Sequence, residues 1–114
     1  MQAENPNPNH TTDHDTPPGA ARRPIVWSIS SNDASGAAGL SADARVAAAF
    51  GVHLCPIVAC VTSQNSLAIE HITPISAAML DAQLEALADD LPPDAIKTGM
   101  LGSAAACSRL LGLD

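Results

Sequence analysis

The chain has 114 residues, 46% of them apolar and 2% aromatic, and a formal net charge of −7. That length allows one domain. Five basic residues against 12 acidic ones leave no cationic stripe, which excludes a nucleic-acid partner and makes solubility the plain reading of the acidity.

The first 22 residues, "MQAENPNPNHTTDHDTPPGAAR", are dense in Asn, Pro, Thr and Asp. They cannot bury enough apolar surface to order themselves, so they read as a disordered tail ahead of one domain over 23–114. The tail has no apolar h-region of a secretory signal. No apolar run is long enough to span a membrane. His10 and His14 are four residues apart in this polar tail, and no metal site is expected there or elsewhere. Cys55, Cys60 and Cys107 form no CxxC and read as small buried hydrophobes in a reducing compartment. The expected location is therefore the cytoplasm, with no membrane partner.

From residue 24 the chain alternates strand and helix. "PIVWSIS", 24–30, is a short, mainly apolar run with β-branched residues and predicts a buried strand. "SNDASGAAGLSAD", 31–43, follows as a glycine loop opening a helix. That helix starts near Ala37 or Ala38 and runs to Phe50, with Gly51 as its stop. "LCPIVACVT", 54–62, predicts a second buried strand, and "SQNSLAIEHIT", 63–73, a loop and a short extra strand. In "SAAMLDAQLEALADD", 76–90, Leu80, Leu84, Leu87 and Leu91 share one helical face. Ser76 is placed to cap that helix, and Pro92 and Pro93 end it. "DAIKT", 94–98, predicts a third strand, and "SAAACSRLLG", 103–112, a further helix.

Repeated strand–helix units predict α/β architecture, with parallel strands, right-handed crossovers and flanking helices. Ligands of such sheets sit at the carboxyl ends of the strands. Three polar or glycine-bearing segments fall there together: 31–39, 63–66 and 99–102. That convergence points to a small-molecule site. Two phosphate cradles are excluded. A Walker A loop would need Lys where Leu40 follows Gly39, and a dinucleotide fingerprint would need GxGxxG where the chain reads GAAG. The loop thus remains either a tight turn or a site of close backbone approach.

Asp43 shares a helical face with Val46, Ala47 and Phe50. It is either a surface acid that offsets the helix dipole or a carboxylate turned to a ligand. Gln64 and Asn65 directly follow a buried strand. An amide there either forms a turn or offers one donor and one acceptor to a heterocycle edge.

"SISSNDASGAAGLSAD", "GVHLCPIVACVTSQNS" and "DAIKTGMLGS" together resemble the amino-terminal part of the hydroxymethylpyrimidine kinase/phosphomethylpyrimidine kinase family of thiamine biosynthesis, in the ribokinase-like superfamily. The family's opening motif, A-G-[TS]-D-x-S-[GA]-G-A-G-I-Q-A-D, is matched by S-S-N-D-A-S-G-A-A-G-L-S-A-D. Its Q-N is Gln64-Asn65, and its K-x-G-[ML]-[LI] is Lys97 to Leu101. The resemblance covers about residues 24 to 114.

It implies a three-layer ribokinase-like parallel sheet, here cut after about three strand–helix units. It implies ATP-dependent phosphorylation of 4-amino-5-hydroxymethyl-2-methylpyrimidine and then of its monophosphate, with ATP and Mg²⁺ as cofactors. It implies a small-molecule pyrimidine as partner and a homo-oligomer for the full-length enzyme. By the resemblance Gln64 reads the ring nitrogen and 4-amino group, the backbone at Ser31 and Ala38 lines the pocket, Asp43 faces the substrate's polar side, and Met100 packs on the ring.

Ser31, Ala34 and Ser41 depart from the motif, and Ser31 stands where the family has Gly. The catalytic residues are expected in a carboxyl-terminal half that these residues do not include. The alternative is a catalytically incomplete fragment that acts at most as a pyrimidine-binding or oligomerising module.

Overall fold

Strand β1 (Ile25–Ser31) alternates its side chains between two helical layers. Ile25, Trp27 and Ile29 join Cys55, Ile57, Ala59, Leu80, Leu84 and Ala106 in one buried core. Val26 and Ser28 turn the other way and line a groove with Asp43, Val46, Ala47 and Phe50. The computed structural model describes residues 22–112. The tail read over 1–22 lies, Arg22 apart, outside the described residues.

The remaining elements are α1 (Gly39–Ala49), β2 (His53–Gln64), β3 (Ile69–Pro74), α2 (Ala77–Ala88), β4 (Ala95–Thr98) and α3 (Ala104–Leu111). The sheet runs β3-β2-β1-β4. β1 is parallel to both β2 and β4. The α/β class and the three layers are as the sequence predicts, with α1 on one face and α2 and α3 on the other.

The sheet is mixed rather than wholly parallel, because β3 runs antiparallel to β2. β3 is the short extra strand read in 63–73. Its direction follows from loop length: only Asn65 to Ala68 separate it from β2. A parallel return needs a crossover of a dozen or more residues, so a connection this short forces a hairpin. The Asn65 carboxamide oxygen shapes the turn, accepting from the amides of Leu67 at 2.8 Å and Ala68 at 3.1 Å. β2 therefore runs on to Gln64, beyond the Thr62 end expected from its apolar run, because the hairpin supplies partners for its polar end.

β3 covers only the far half of β2, from Cys60 to Gln64. Below it the edge of β2 meets α2. The Gln83 carboxamide donates to the Val58 carbonyl and accepts from the Val58 amide, both at 2.9 Å. It thus pairs with Val58 as a neighbouring peptide would.

Leu80 and Leu84 are buried and Leu87 and Leu91 pack against the core, so the helical stripe is the one the spacing predicts. Ser76 accepts from the Met79 amide at 3.1 Å and Ser103 from the Ala106 amide at 3.0 Å, capping α2 and α3. The Trp27 indole donates to the Leu91 carbonyl at 2.8 Å, tying β1 to the end of α2.

Cys55 and Cys60 are buried, but Cys107 is exposed, against the expectation that all three are core residues. It lies on the outer side of α3, one position past the buried Ala106. Among the described residues no helix is long and apolar enough to cross a membrane.

Candidate functional site at the carboxyl edge of the sheet

The loop after β1 is organised by one carboxylate. Asp33 is 5% exposed. Its Oδ1 accepts from the Ser35 hydroxyl at 2.8 Å and the Ser35 amide at 2.9 Å, and its Oδ2 from the Ala38 amide at 2.8 Å. The Ser35 hydroxyl, with the amides of Ser35, Ala38 and Ala37, outweighs burial and holds the Asp33 carboxyl below its usual range.

What comes close to the glycine loop is the chain itself. Gly39 has φ +62°, and a Cβ there would lie 2.5 Å from the Ser31 carbonyl oxygen. Both the left-handed backbone and the contact require glycine. The backbone of Ser31 is thus packed against the start of α1, and Ala38 closes the loop through Asp33.

β2 outruns β1, whose last pairing is Ser31 with Cys60. Asn32 continues the ladder with its side chain. Its Oδ1 accepts from the Thr62 amide at 2.6 Å. The buried Thr62 hydroxyl donates to the Asn32 carbonyl at 2.9 Å. Gln64 Nε2 then donates to the Asn32 carbonyl at 3.1 Å and to Thr62 Oγ1 at 2.8 Å.

The loop after β4 crosses the same edge. The Gly99 amide donates to the Ile29 carbonyl at 2.9 Å. The Cys60 thiol donates to the Met100 carbonyl at 3.6 Å, and burial pushes that thiol's pKa up. Gly102 sits against Cys60 and Ile72 with φ +80°. Ser31, Gln64 and Met100 therefore share the carboxyl edge, from three different strands. Met100 is 36% exposed.

Asp43 lies about one turn further down α1. Its Oδ2 accepts from Ser28 Oγ at 2.7 Å and from Lys97 Nζ at 2.8 Å. Burial raises the Asp43 pKa, but the hydrogen bonds from Lys97 and Ser28 and the Lys97 charge outweigh it and hold the carboxyl low. The ion pair links α1 to β4 at the mouth of a groove of about 390 Å³ lined by Val26, Val46, Ala47, Phe50 and Leu54.

Asp33 and Asp43 share a consequence for stability. Each carboxyl is lowered from 3.8, so each contributes stability above that value that fades as pH falls through the folded-state pKa. Urea midpoints should hold level down to about pH 5 and drop below about pH 4. Asp43→Asn should flatten part of that drop, and an unchanged slope would show that the ion pair adds nothing.

Ser28, Asn32 and Thr62 were not singled out from the sequence. Ser28 left a signal, as a polar residue inside an apolar strand. Asn32 and Thr62 left only positions next to strand ends.

The phosphomethylpyrimidine kinase family model matches residues 33–111. The hydroxymethylpyrimidine/phosphomethylpyrimidine kinase of Synechococcus elongatus is 45% identical over 78 residues, which cover 68% of this chain and 30% of that protein. The crystal structure of phosphomethylpyrimidine kinase from Clostridium difficile superposes with a TM-score of 0.73 at 27% identity, covering 78% of this chain and 38% of the other. Pyridoxal kinase from Staphylococcus aureus, solved with pyridoxal, gives a TM-score of 0.71 at 26% identity, over 79% of this chain and 34% of that one. The same enzyme has been solved with ADP. The chain thus spans about 30% of the length of the curated relative it matches. With the family model matched across most of its length and its fold shared by these kinases, the chain belongs to the phosphomethylpyrimidine kinase family.

Proposed function

We propose that these residues form the substrate side of an ATP-dependent kinase acting on 4-amino-5-hydroxymethyl-2-methylpyrimidine and on its monophosphate, in the formation of thiamine diphosphate. The observation that carries the reading is the meeting of the segments after β1, β2 and β4 at one sheet edge, in a member of this family. Strand carboxyl ends are where ligands of such sheets bind.

In this reading the ring rests against Met100, and the backbone from Ser31 to Ala38 forms one wall. Both Nε2 hydrogens of Gln64 are taken by Asn32 and Thr62, so its free edge is the Oε1 acceptor. Gln64 then accepts from the 4-amino group, while the ring nitrogen takes its donor from another group. Asp43 faces the substrate's polar side as half of a neutral ion pair, with its Oδ2 already held by Ser28 and Lys97.

The cofactors divide differently. ATP supplies the phosphoryl group and Mg²⁺ screens its charge. The described residues do not fit either one. Both candidate acids are committed to protein partners, and no group of three metal-ligating side chains occurs among the described residues. Arg45 donates to the Gly36 carbonyl and Lys97 pairs with Asp43, so neither cation is free for a triphosphate. In the proposed enzyme both cofactors are held by residues outside those described. A cytoplasmic, homo-oligomeric enzyme is part of the same proposal.

The test joins this chain to the remaining carboxyl-terminal part of the Synechococcus elongatus relative. ATP-dependent conversion of the hydroxymethylpyrimidine, absent when Met100→Glu buries a charge against the ring, is the expected result. Turnover of pyridoxal in preference to the pyrimidine would overturn the substrate assignment.

A further inference from the structure

We infer that Thr62 and Asn32 are positioning residues that set the ligand preference of this edge: they hold the Gln64 amide so that it presents an acceptor only, and so selects a heterocycle bearing an exposed N–H donor, such as an amino group, over one bearing an oxo group. This rests on the binding role proposed for Gln64.

The hydrogen bonds determine which way the amide points. The Asn32 carbonyl can only accept. It therefore requires a donor from Gln64, which places Nε2 inward. The Thr62 hydroxyl has a single hydrogen, and that is given to the Asn32 carbonyl at 2.9 Å. Its lone pairs remain for the second Nε2 hydrogen, at 2.8 Å. A flipped amide would face its oxygen to the Asn32 carbonyl, acceptor against acceptor. The Asn32 side chain fixes that carbonyl in turn by accepting from the Thr62 amide at 2.6 Å. Thr62 is only 4% exposed, so water does not replace its hydroxyl.

The outward Oε1 can accept but cannot donate. An amino group at the ring edge satisfies it, and an oxo group sets two acceptors face to face. Without the Thr62 hydroxyl the amide keeps only the Asn32 carbonyl as an inner partner, so a turn-over forfeits one hydrogen bond instead of two and the preference narrows. Thr62→Val is the sharpest variant, because it removes the hydroxyl while keeping shape and branching in the strand. Thr62→Ser restores the hydroxyl.

The experiment titrates a 4-aminopyrimidine and the matching 4-oxopyrimidine into the 114-residue chain and into both variants, by calorimetry. Wild type and Thr62→Ser should prefer the amino compound by roughly tenfold, the scale of one hydrogen bond made against one forbidden. Thr62→Val should narrow that preference to a few-fold at most, because the Asn32 carbonyl alone then orients the amide. A merely structural Thr62 would weaken both ligands alike and leave their ratio intact, which would overturn the inference. If wild type binds neither compound, the binding role of Gln64 fails instead. The positioning claim is then decided by nuclear magnetic resonance of the Gln64 side-chain amide. Two exchange-protected NH₂ signals, one of which loses protection in Thr62→Val, support it, and signals unchanged by the substitution overturn it.

Discussion

Gly39→Ala is expected to remove a large part of this chain's stability. The left-handed backbone alone costs an alanine about 1–3 kcal/mol. The added Cβ would also stand 2.5 Å from the Ser31 carbonyl oxygen, with the carbonyl carbons of Ser31 and Asn32 both at 3.4 Å. Those atoms are backbone and cannot swing away like the end of a side chain. The join between β1 and α1 must therefore open. Gly51→Ala provides the comparison, because Gly51 has φ +68° and nothing within 4 Å of its added Cβ. It bears the conformational cost without the collision. Urea titrations of the two variants separate the two causes. Gly39→Ala should lose clearly more than Gly51→Ala, and equal losses would mean that the loop has room to yield.

Trp27→Ala should be comparably damaging. Trp27 is 5% exposed in a core otherwise made of Ile, Leu, Ala and Cys. Truncating a buried tryptophan costs about 3–5 kcal/mol, and small aliphatic neighbours cannot close over the space. Trp27→Phe isolates the polar part of the loss. It keeps most of the ring volume but leaves the Leu91 carbonyl without its indole donor, for about 1–3 kcal/mol. Against the roughly 5–15 kcal/mol that holds a typical domain together, the alanine variant should be largely unfolded at body temperature. Circular dichroism on heating reads both. A Trp27→Ala chain that melts within a few degrees of wild type would show that the core repacks.

The elements were legible in the sequence because each carried its own signal. The leucine stripe from Leu80 to Leu91 had one period, and Ser76 stood where a cap belongs. The runs 24–30 and 54–62 were mostly apolar, with Ser28, Ser30 and Thr62 as the polar exceptions, as strands covered on both faces largely are. The extra strand was read within 63–73, but the point where loop gives way to strand was not, so the length of the Asn65–Ala68 connection, and with it the direction of β3, was not legible. Cys107 was misplaced because helix α3 carries small residues on both faces, so composition did not reveal which face was inward.

The meeting of three segments at one edge was legible, and their contacts there were less so. Three polar segments after three strands located the edge. The partners of Asp43 were not visible, because Ser28 and Lys97 are 15 and 54 residues away in the chain. The tie between Asn32, Thr62 and Gln64 likewise needs the register of β1 on β2, including the irregularity after Ser30. That offset moves Asn32 one residue nearer to Thr62.

Helix α1 buries only Leu40, and leaves Val46 at 58% and Phe50 at 80% exposure over the groove. Its hold on the sheet rests on the buried Leu40, on Asp43 and on the packed Gly39 at its start. Free energy is therefore spread unevenly through the molecule, with the α2–α3 face as the last part to open and α1 among the first. Because the glycine loop is continuous with α1, loss of that helix also loosens one wall of the ligand edge. In the proposed site, occupancy of the edge and seating of the helix would be two views of a single equilibrium: whatever clamps α1 down would tighten the grip on ligand, and ligand would clamp α1 by the same factor.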